Sequence, residues 1–167
     1  MMGHLGARWG RGNGAGRLDR SLGLCFEGAG LKAPIRPHLR GNLMFSHIMI
    51  GTNDLSRAKT FYDAALGALG VPPGRLDGNR IFYMTSTGVF AVTLPINGEP
   101  ACHANGGTVG FAAASTDKAD AWHDAGLAAG GATCEEPPGV REGATGKLYL
   151  AYLRDPDGNK VCALHRL

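Results

Sequence analysis

The sequence from residue 44 to residue 167 predicts an α+β domain of two tandem βαβββ modules. We expect their strands to form a cupped mixed sheet with helices on its outer face. Three observations predict this fold: a strand-like run followed by an amphipathic helix, the same order again 61 residues later, and further strand-like runs after each helix. A single module would leave one face of its sheet unburied, so two modules packed together are the stable arrangement.

The first module is predicted over 44–100. The apolar run 44–51 indicates a strand, and Asp54 is suited to cap the next helix because its side chain accepts from unpaired backbone amides. Apolar residues at helical spacing continue to Leu69, where glycine and two prolines end the helix. Three strands are predicted after it, near 75–77 and at 80–85 and 89–96.

The second module is predicted over 104–167 and repeats this order. A strand at 107–114 leads to a helix cap at Ser115–Asp117 and to an apolar helical stripe that ends at Ala129. The predicted strands that follow lie near 132–136 and at 148–153 and 160–165. The last two are joined by the turn Asp-Pro-Asp-Gly-Asn, in which proline sets φ and glycine and asparagine tolerate positive φ.

The composition is that of a globular chain with one core. Of the 167 residues, 44% are apolar and 19% are charged, and no apolar run approaches the ~20 residues that cross a bilayer. The cysteines lie far apart in the sequence, which favours reduced thiols and a cytoplasmic protein over a disulfide framework. They are Cys25, Cys102, Cys134 and Cys162.

The positive charge is concentrated in residues 1–43, which carry seven basic and two acidic side chains, whereas the rest carries ten basic and twelve acidic ones. Nothing in the mildly acidic domain indicates nucleic-acid binding. Ten of the 27 glycines also lie in 1–43, so we expect a disordered or extension segment there. A basic arm that binds anionic partners, a transit peptide, and a start placed upstream of a domain that opens at Met44 are the alternatives.

Two stretches and the internal duplication resemble the vicinal oxygen chelate superfamily, the glyoxalase/bleomycin resistance protein/extradiol dioxygenase family. The first stretch is FSHIMIGTNDLSRAKTFYDAALGALG and the second is YLAYLRDPDGNKVCALH. The likeness covers 44–167 and none of 1–43. It implies the cupped fold and a small-molecule ligand, and family members are often homodimers.

The resemblance also implies a divalent metal bound at four equivalent strand positions. In this chain those positions are expected to be His47, Val92, Thr108 and Cys162, with Cys162 where many relatives have glutamate. Only His47 and Cys162 are good metal ligands, whereas a catalytic metal usually has three protein ligands. Such a pair favours soft or borderline metals, so zinc or nickel is the metal to test. His103, from a loop, is a candidate third ligand, and the ordinary metal site is expected to be incomplete.

Other side chains are candidates for binding or chemistry. If Cys162 lies beside His47, the imidazole lowers the thiol pKa and the pair becomes a nucleophile and its base. Tyr83 and Tyr149, on equivalent strands, are candidates to present hydroxyls to a ligand, although buried aromatic residues are the commoner case. Arg141, in a predicted loop over 135–143, is a candidate to hold a carboxylate or phosphate.

The resemblance therefore predicts a glyoxalase-like protein that binds a small carbonyl metabolite in the cup, as a lyase or isomerase. Fold alone does not determine function. Two alternatives remain: a non-catalytic ligand-sequestering module of the bleomycin-resistance type, and a metal-free thiol enzyme that uses Cys162 with His47.

Overall fold

The computed structural model describes residues 44–143 and 146–167, so the predictions for 1–43 lie outside the described residues. The chain forms two helices in this part, α1 (Leu55–Ala68) and α2 (Thr116–Ala128). The strands of the first module are β1 (His47–Gly51), β2 (Arg75–Asp77), β3 (Arg80–Met84) and β4 (Val89–Thr93). Those of the second are β5 (Val109–Ala112), β6 (Ala132–Thr133), β7 (Gly139–Gly143), β8 (Gly146–Arg154) and β9 (Lys160–Arg166).

The strands form two mixed sheets, one in each module. The first sheet has the order β1-β4-β3-β2 and the second β5-β9-β8-β6, with β7 also paired to β8. The first strand of each module pairs in parallel with the last strand, and the other pairs are antiparallel. The fold is thus the predicted pair of βαβββ modules. Among the described strands, none pairs with a strand of the other sheet.

Both helices begin at the predicted capping side chains. Asp54 accepts a hydrogen bond from the backbone N–H of Arg57 at 3.0 Å, and Ser115 accepts one from Lys118 at 3.2 Å. These bonds satisfy amides that have no partner inside the helix. Each helix is followed within two residues by a glycine with positive φ, Gly70 at 88° and Gly130 at 94°, a conformation that glycine adopts without strain.

One apolar core spans the two modules, and α1 and α2 pack against each other within it. The helices contribute the fully buried Phe61 and Trp122, and the sheets contribute Ile81 and Leu153. Because side chains alternate along a strand, each sheet turns one face to this core and leaves the other face open. We call these the first open face, on the β1–β4 sheet, and the second open face, on the β5–β9 sheet.

The turn between β8 and β9 joins the two modules through hydrogen bonds to the start of α1. The Asp157 carboxylate accepts from the Thr52 hydroxyl at 2.5 Å, from the backbone N–H of Asn53 at 3.0 Å and from Arg57 Nη2 at 2.9 Å. Nearby, the buried Tyr62 hydroxyl donates to Asp155 at 2.8 Å. This polar contact, which we call the module lock, fixes one end of the interface between modules.

The structure corrects two details of the predicted elements. The predicted loop over 135–143 is partly strand, since β7 pairs along its length with β8. Several strand ends are also shorter than predicted; β4, for example, ends at Thr93 rather than at residue 96. No helix in the described part of the chain is long and apolar enough to cross a membrane.

Candidate functional site

The alternation of side chains places the two predicted metal ligands on different open faces. Ile50 packs against the core, so His47, three residues earlier on β1, lies on the first open face. Val161 and Ala163 belong to the core, so Cys162 between them lies on the second open face. No hydrogen bond joins His47 to Cys162. The structure therefore does not bring the predicted base and nucleophile together within this chain.

His47 is exposed at the first residue of β1, opposite Val89 of β4. Its Nδ1 lies 3.0 Å from the Ser46 hydroxyl oxygen. That contact leaves the other ring nitrogen, Nε2, available to a ligand. His47 can therefore act as a hydrogen-bond donor or acceptor at this edge of the sheet.

Cys162 is only 5% exposed, although its face of the sheet is open. Burial raises the pKa of its thiol to about 11, against the opposing effect of the Lys160 charge. A thiol must lose its proton to act as a nucleophile or metal ligand, so burial keeps Cys162 in the unreactive form at neutral pH. Gly110, its partner on β5, has no side chain beside the Cys162 sulfur; a Cβ atom there would lie 3.4 Å from it.

The strand register corrects the predicted equivalence of Val92 and Cys162. Cys162 pairs with Gly110, and the residue that corresponds to Gly110 in the first module is Met49, whose partner is Ala91. Val92 is fully buried in the core instead. A shift of one residue in register moves a side chain to the other face of a sheet, so the first module presents Ala91 where the second presents Cys162.

The four positions that the family resemblance designates do not fit a resident divalent metal. They hold His47, Ala91, Thr108 and Cys162, and Thr108 lies exposed just before β5. Only His47 and Cys162 are good ligands, and they lie on different open faces of this chain. Within 44–143 and 146–167, no three His, Cys, Asp or Glu side chains lie together as a metal would require.

The hydroxyls of both candidate tyrosines donate to carboxylates on the helix side of the sheets. Tyr83 is 1% exposed and donates to Asp63 at 3.0 Å, and burial together with that carboxylate raises the pKa of Tyr83 far above its ordinary value. Tyr149 donates to Asp120 at 2.8 Å, and this hydrogen bond is the main reason that its pKa is raised. Both side chains therefore face away from the open faces.

His103 lies against the turn of the module lock and not beside His47. A Cβ atom built on Gly158 would come within 2.9 Å of His103 Nδ1, and Asn159 in the same turn donates to the Gly51 carbonyl at 3.0 Å. Gly51 is four residues from His47, or roughly 13 Å along an extended strand. The structure therefore does not place His103 as a third ligand to a metal at His47.

Arg141 is engaged by its own segment. It lies on β7 opposite Leu148 of β8, its Nη2 donates to the Pro137 carbonyl at 2.8 Å, and its Nε lies 3.3 Å from Glu136. A ligand anion would have to replace Glu136 as the partner of this guanidinium.

Sequence reasoning missed a cluster around Tyr152 on the second open face. Tyr152 is the β8 partner of Cys162, and the Lys160 ammonium lies 4.8 Å from the centroid of its ring, a cation–π contact. Lys160 also forms an ion pair with Glu135, whose φ of 61° is unusual for a residue with a side chain. Lys160 and Cys162 are two residues apart on one strand, so their shared face was the signal available in the sequence.

Comparison with known proteins agrees with this architecture. The family model of the Glyoxalase/Bleomycin resistance protein/Dioxygenase superfamily matches residues 44–163. The chain is 64% identical to a glyoxalase/bleomycin resistance protein from Albidiferax ferrireducens T118, with a TM-score of 0.73 over 74% of this chain and 99% of that one. No curated protein matches.

More distant structures share the fold alone. A glyoxalase-related enzyme from Fulvimarina pelagi is 21% identical, with a TM-score of 0.56 over 72% of this chain and 86% of that one. A glyoxalase/bleomycin resistance protein/dioxygenase family enzyme from Burkholderia phytofirmans PsJN is 18% identical, with a TM-score of 0.55 over 73% and 98%. By the family model that spans most of its length and by its two βαβββ modules, this chain belongs to the glyoxalase/bleomycin resistance protein/dioxygenase superfamily.

Proposed function

We propose that this chain is a glyoxalase-like protein that binds a small carbonyl-bearing metabolite on its open sheet faces without a resident divalent metal. The observation that carries the proposal is the cluster on the second open face, where Lys160 and the Tyr152 ring lie beside apolar strand residues. An ammonium and a phenol can both donate hydrogen bonds to a carbonyl oxygen. The surrounding apolar surface would hold the body of the ligand, as in most small-molecule sites.

The donor set favours binding over metal-assisted lyase or isomerase chemistry. Polarising a carbonyl with a metal requires ligands that hold the ion, and the two good donors at the four family positions, His47 and Cys162, lie on different open faces. The ligand-sequestering role is therefore our preferred form of the proposal. A lyase or isomerase acting on the same carbonyl class is the second candidate, supported by the family of the chain.

The metal-free thiol enzyme is less well supported. Its nucleophile would be a thiol whose pKa burial raises to about 11, and its base, His47, makes no hydrogen bond to that thiol. Activation of Cys162 would require an imidazole or another base within about 3 Å.

The strand edges and the free cysteines support a cytoplasmic homodimer. Among the strands of residues 44–143 and 146–167, β1 and β5 each have an unpaired edge, and such edges are commonly covered by pairing with another chain. Cys102, Cys134 and Cys162 are free thiols, as expected in a reducing compartment. Sedimentation equilibrium tests the dimer, and a mass that stays monomeric at micromolar concentration would contradict it.

Thermal unfolding with matched small molecules tests the proposed function. Hydroxyacetone supplies a carbonyl, and propane-1,2-diol has the same carbon skeleton without one. Because a ligand stabilises the folded form by mass action, we expect the Tm to rise with hydroxyacetone and to stay unchanged with the diol. Metal analysis of the same sample is expected to find zinc and nickel well below one equivalent.

Two lysine variants provide the control. Lys160→Met removes the cation over Tyr152 and should abolish the rise in Tm, whereas Lys147→Met, at an exposed position on β8, should preserve it. If hydroxyacetone changes the Tm of the two variants equally, the proposed site is wrong. Stoichiometric metal together with turnover of hydroxyacetone would instead establish the lyase or isomerase candidate.

A further inference from the structure

A cavity of about 440 Å³ lies between the modules, apart from the Tyr152 cluster of the second open face. Its walls come mainly from the side of each sheet that faces the helices, and His47, Val89 and Gly110 of the open faces border it. Phe90 of β4 and Phe111 of β5 meet across the interface, with ring centroids 5.1 Å apart. The module lock fixes the turn between β8 and β9 to the start of α1, whereas the cavity adjoins the last turn of α1. Its volume is in the range of small-molecule sites.

The cavity is apolar, and no charged Lys, Arg, Asp or Glu side chain lines it among the described residues. Aliphatic or aromatic groups come from β1, the end of α1 and the loop after it, β4 and β5. They include Ile48, Leu66, Val71, Phe90, Val109 and Phe111. A charged ligand group placed among them would lose its hydration without gaining a partner, at a cost of several kcal/mol.

The polar groups of the cavity are few, and most already have partners. The Tyr83 hydroxyl donates to Asp63. Thr85 and Thr87 share a hydrogen bond at 3.1 Å. His47 contacts Ser46 through Nδ1 alone, so its Nε2 is the group with capacity for a ligand.

We propose that this inter-module cavity is a second binding site, which takes an uncharged small molecule with an aromatic or branched aliphatic body and one neutral polar group directed to His47. The site goes beyond the proposed function, because Tyr152, Lys160 and Glu135 do not line it. It requires neither the Tyr152 cluster nor a metal. Complementarity selects the ligand class, since the cavity offers apolar contact and the Nε2 atom of one imidazole.

A pair of fluorescent probes that differ in charge tests the proposal on the full chain. N-phenyl-1-naphthylamine is neutral, and 8-anilinonaphthalene-1-sulfonate has the same aromatic body with a sulfonate; both brighten in apolar surroundings. We expect saturable one-to-one binding of the neutral probe and at least about tenfold weaker binding of the sulfonate, because no Lys or Arg of the described part of the chain lines the cavity to pair with it.

Glycine substitutions give a matched pair of variants. Gly88 lines the cavity, and a Cβ atom there would meet nothing within 4 Å, so Gly88→Leu places a side chain in the empty space. Gly67 has equally open surroundings but lies on the exposed side of α1, so Gly67→Leu is the control. We expect at least about tenfold loss of neutral-probe affinity in the first variant and none in the second. Val71→Phe narrows the cavity from another wall and should act like Gly88→Leu.

Three results would overturn the second site. One is the absence of saturable binding of the neutral probe, and another is equal affinity for the two probes, which would indicate adsorption to exposed apolar surface. The third is unchanged affinity in folded Gly88→Leu or Val71→Phe, with folding verified by circular dichroism. Since Lys160→Met leaves the cavity walls intact, its binding of the neutral probe should be normal even where the response to hydroxyacetone is lost.

Discussion

Cys162 combines a position on an open sheet face with an exposed fraction of only 5%. Burial raises the pKa of the thiol to about 11, although the charge of Lys160 acts in the opposite direction. At pH 8 a thiol with that pKa is ~0.1% thiolate. Cys102, in the loop before β5, is exposed. Accessibility and ionisation therefore predict a large difference in reactivity between these cysteines.

Iodoacetamide at pH 8 is expected to alkylate Cys102 in the native protein and to leave Cys162 largely unmodified. Peptide mass spectrometry at timed intervals measures both sites in one sample. In denaturant both cysteines should react at similar rates, since the pKa shift depends on the fold. Modification of native Cys162 as fast as that of Cys102 would show that the thiol is activated and would restore the thiol-enzyme hypothesis.

Sequence could predict the strand of each candidate residue but not always its face. His47 and Cys162 were recognised as residues of the first and last strands of the modules, which is where they lie. Val92 was paired with Cys162 because the two inter-strand turns differ in length, and the allowance for that difference was wrong by one residue. Since side chains alternate, that small error exchanged an open-face alanine for a core valine.

The two helices contain glycines in opposite environments, which gives a prediction at the scale of an element. A Cβ atom on Gly67 of α1 meets nothing within 4 Å, whereas one on Gly126 of α2 collides with the buried Leu153 and comes within 3.3 Å of Phe61. We expect Gly67→Ala to stabilise the fold by about 0.5–1 kcal/mol through helix propensity. Gly126→Ala should destabilise it by about 1–3 kcal/mol because of overpacking.

Urea unfolding of the two variants measures both effects against the unchanged chain. The substitution is chemically the same in each helix, so the difference in sign isolates the packing of α2 against β8. Stabilisation by both substitutions would mean that the Leu153 side chain moves aside freely, in conflict with its full burial.

Elements with strong local signals were predictable, and the one that depends on a distant partner was not. Capping residues and apolar periodicity predicted α1 and α2, whose first turns bear the expected hydrogen bonds. Strand β7 contains Arg141 and Glu142 and follows two prolines, which together are typical of a loop. It is a strand because β8 supplies its backbone partners, information that no local pattern contains.

At the scale of the whole molecule, the sequence predicted the duplication but not the contacts between its halves. The turn Asp155–Asn159 was interpreted as a tight link between two strands, which it is. Its carboxylates also accept hydrogen bonds from the other module, Asp157 from Thr52 just before α1 and Asp155 from Tyr62 within α1. The same turn chemistry thus serves both purposes, and only the packed structure shows which groups of the first module it contacts.

The Asp157 carboxylate leads to a prediction about the dependence of stability on pH. Its side chain is 3% exposed. Burial alone would raise its pKa, but hydrogen bonds from Thr52 and Asn53 and the charge of Arg57 outweigh burial and hold the pKa below its ordinary value. A carboxyl whose pKa is lowered by folding stabilises the protein above its unfolded pKa of about 3.9, and that stability is lost as pH falls through the folded pKa.

Asp157→Asn should therefore lower the free energy of unfolding by about 2–3 kcal/mol at pH 7, because the donors of the first module lose a charged acceptor. Its unfolding free energy should also decline less steeply than that of the unchanged chain below pH 4, with Asp63, whose pKa folding also lowers, accounting for part of the remaining slope. Urea unfolding at intervals from pH 3 to pH 7 measures both effects.

Asp124→Asn, at a side chain that is 83% exposed, is the control and should change neither quantity. If the curves of Asp157→Asn and the unchanged chain run parallel through the acid range, the carboxylate is not the group that couples protonation to the joining of the modules.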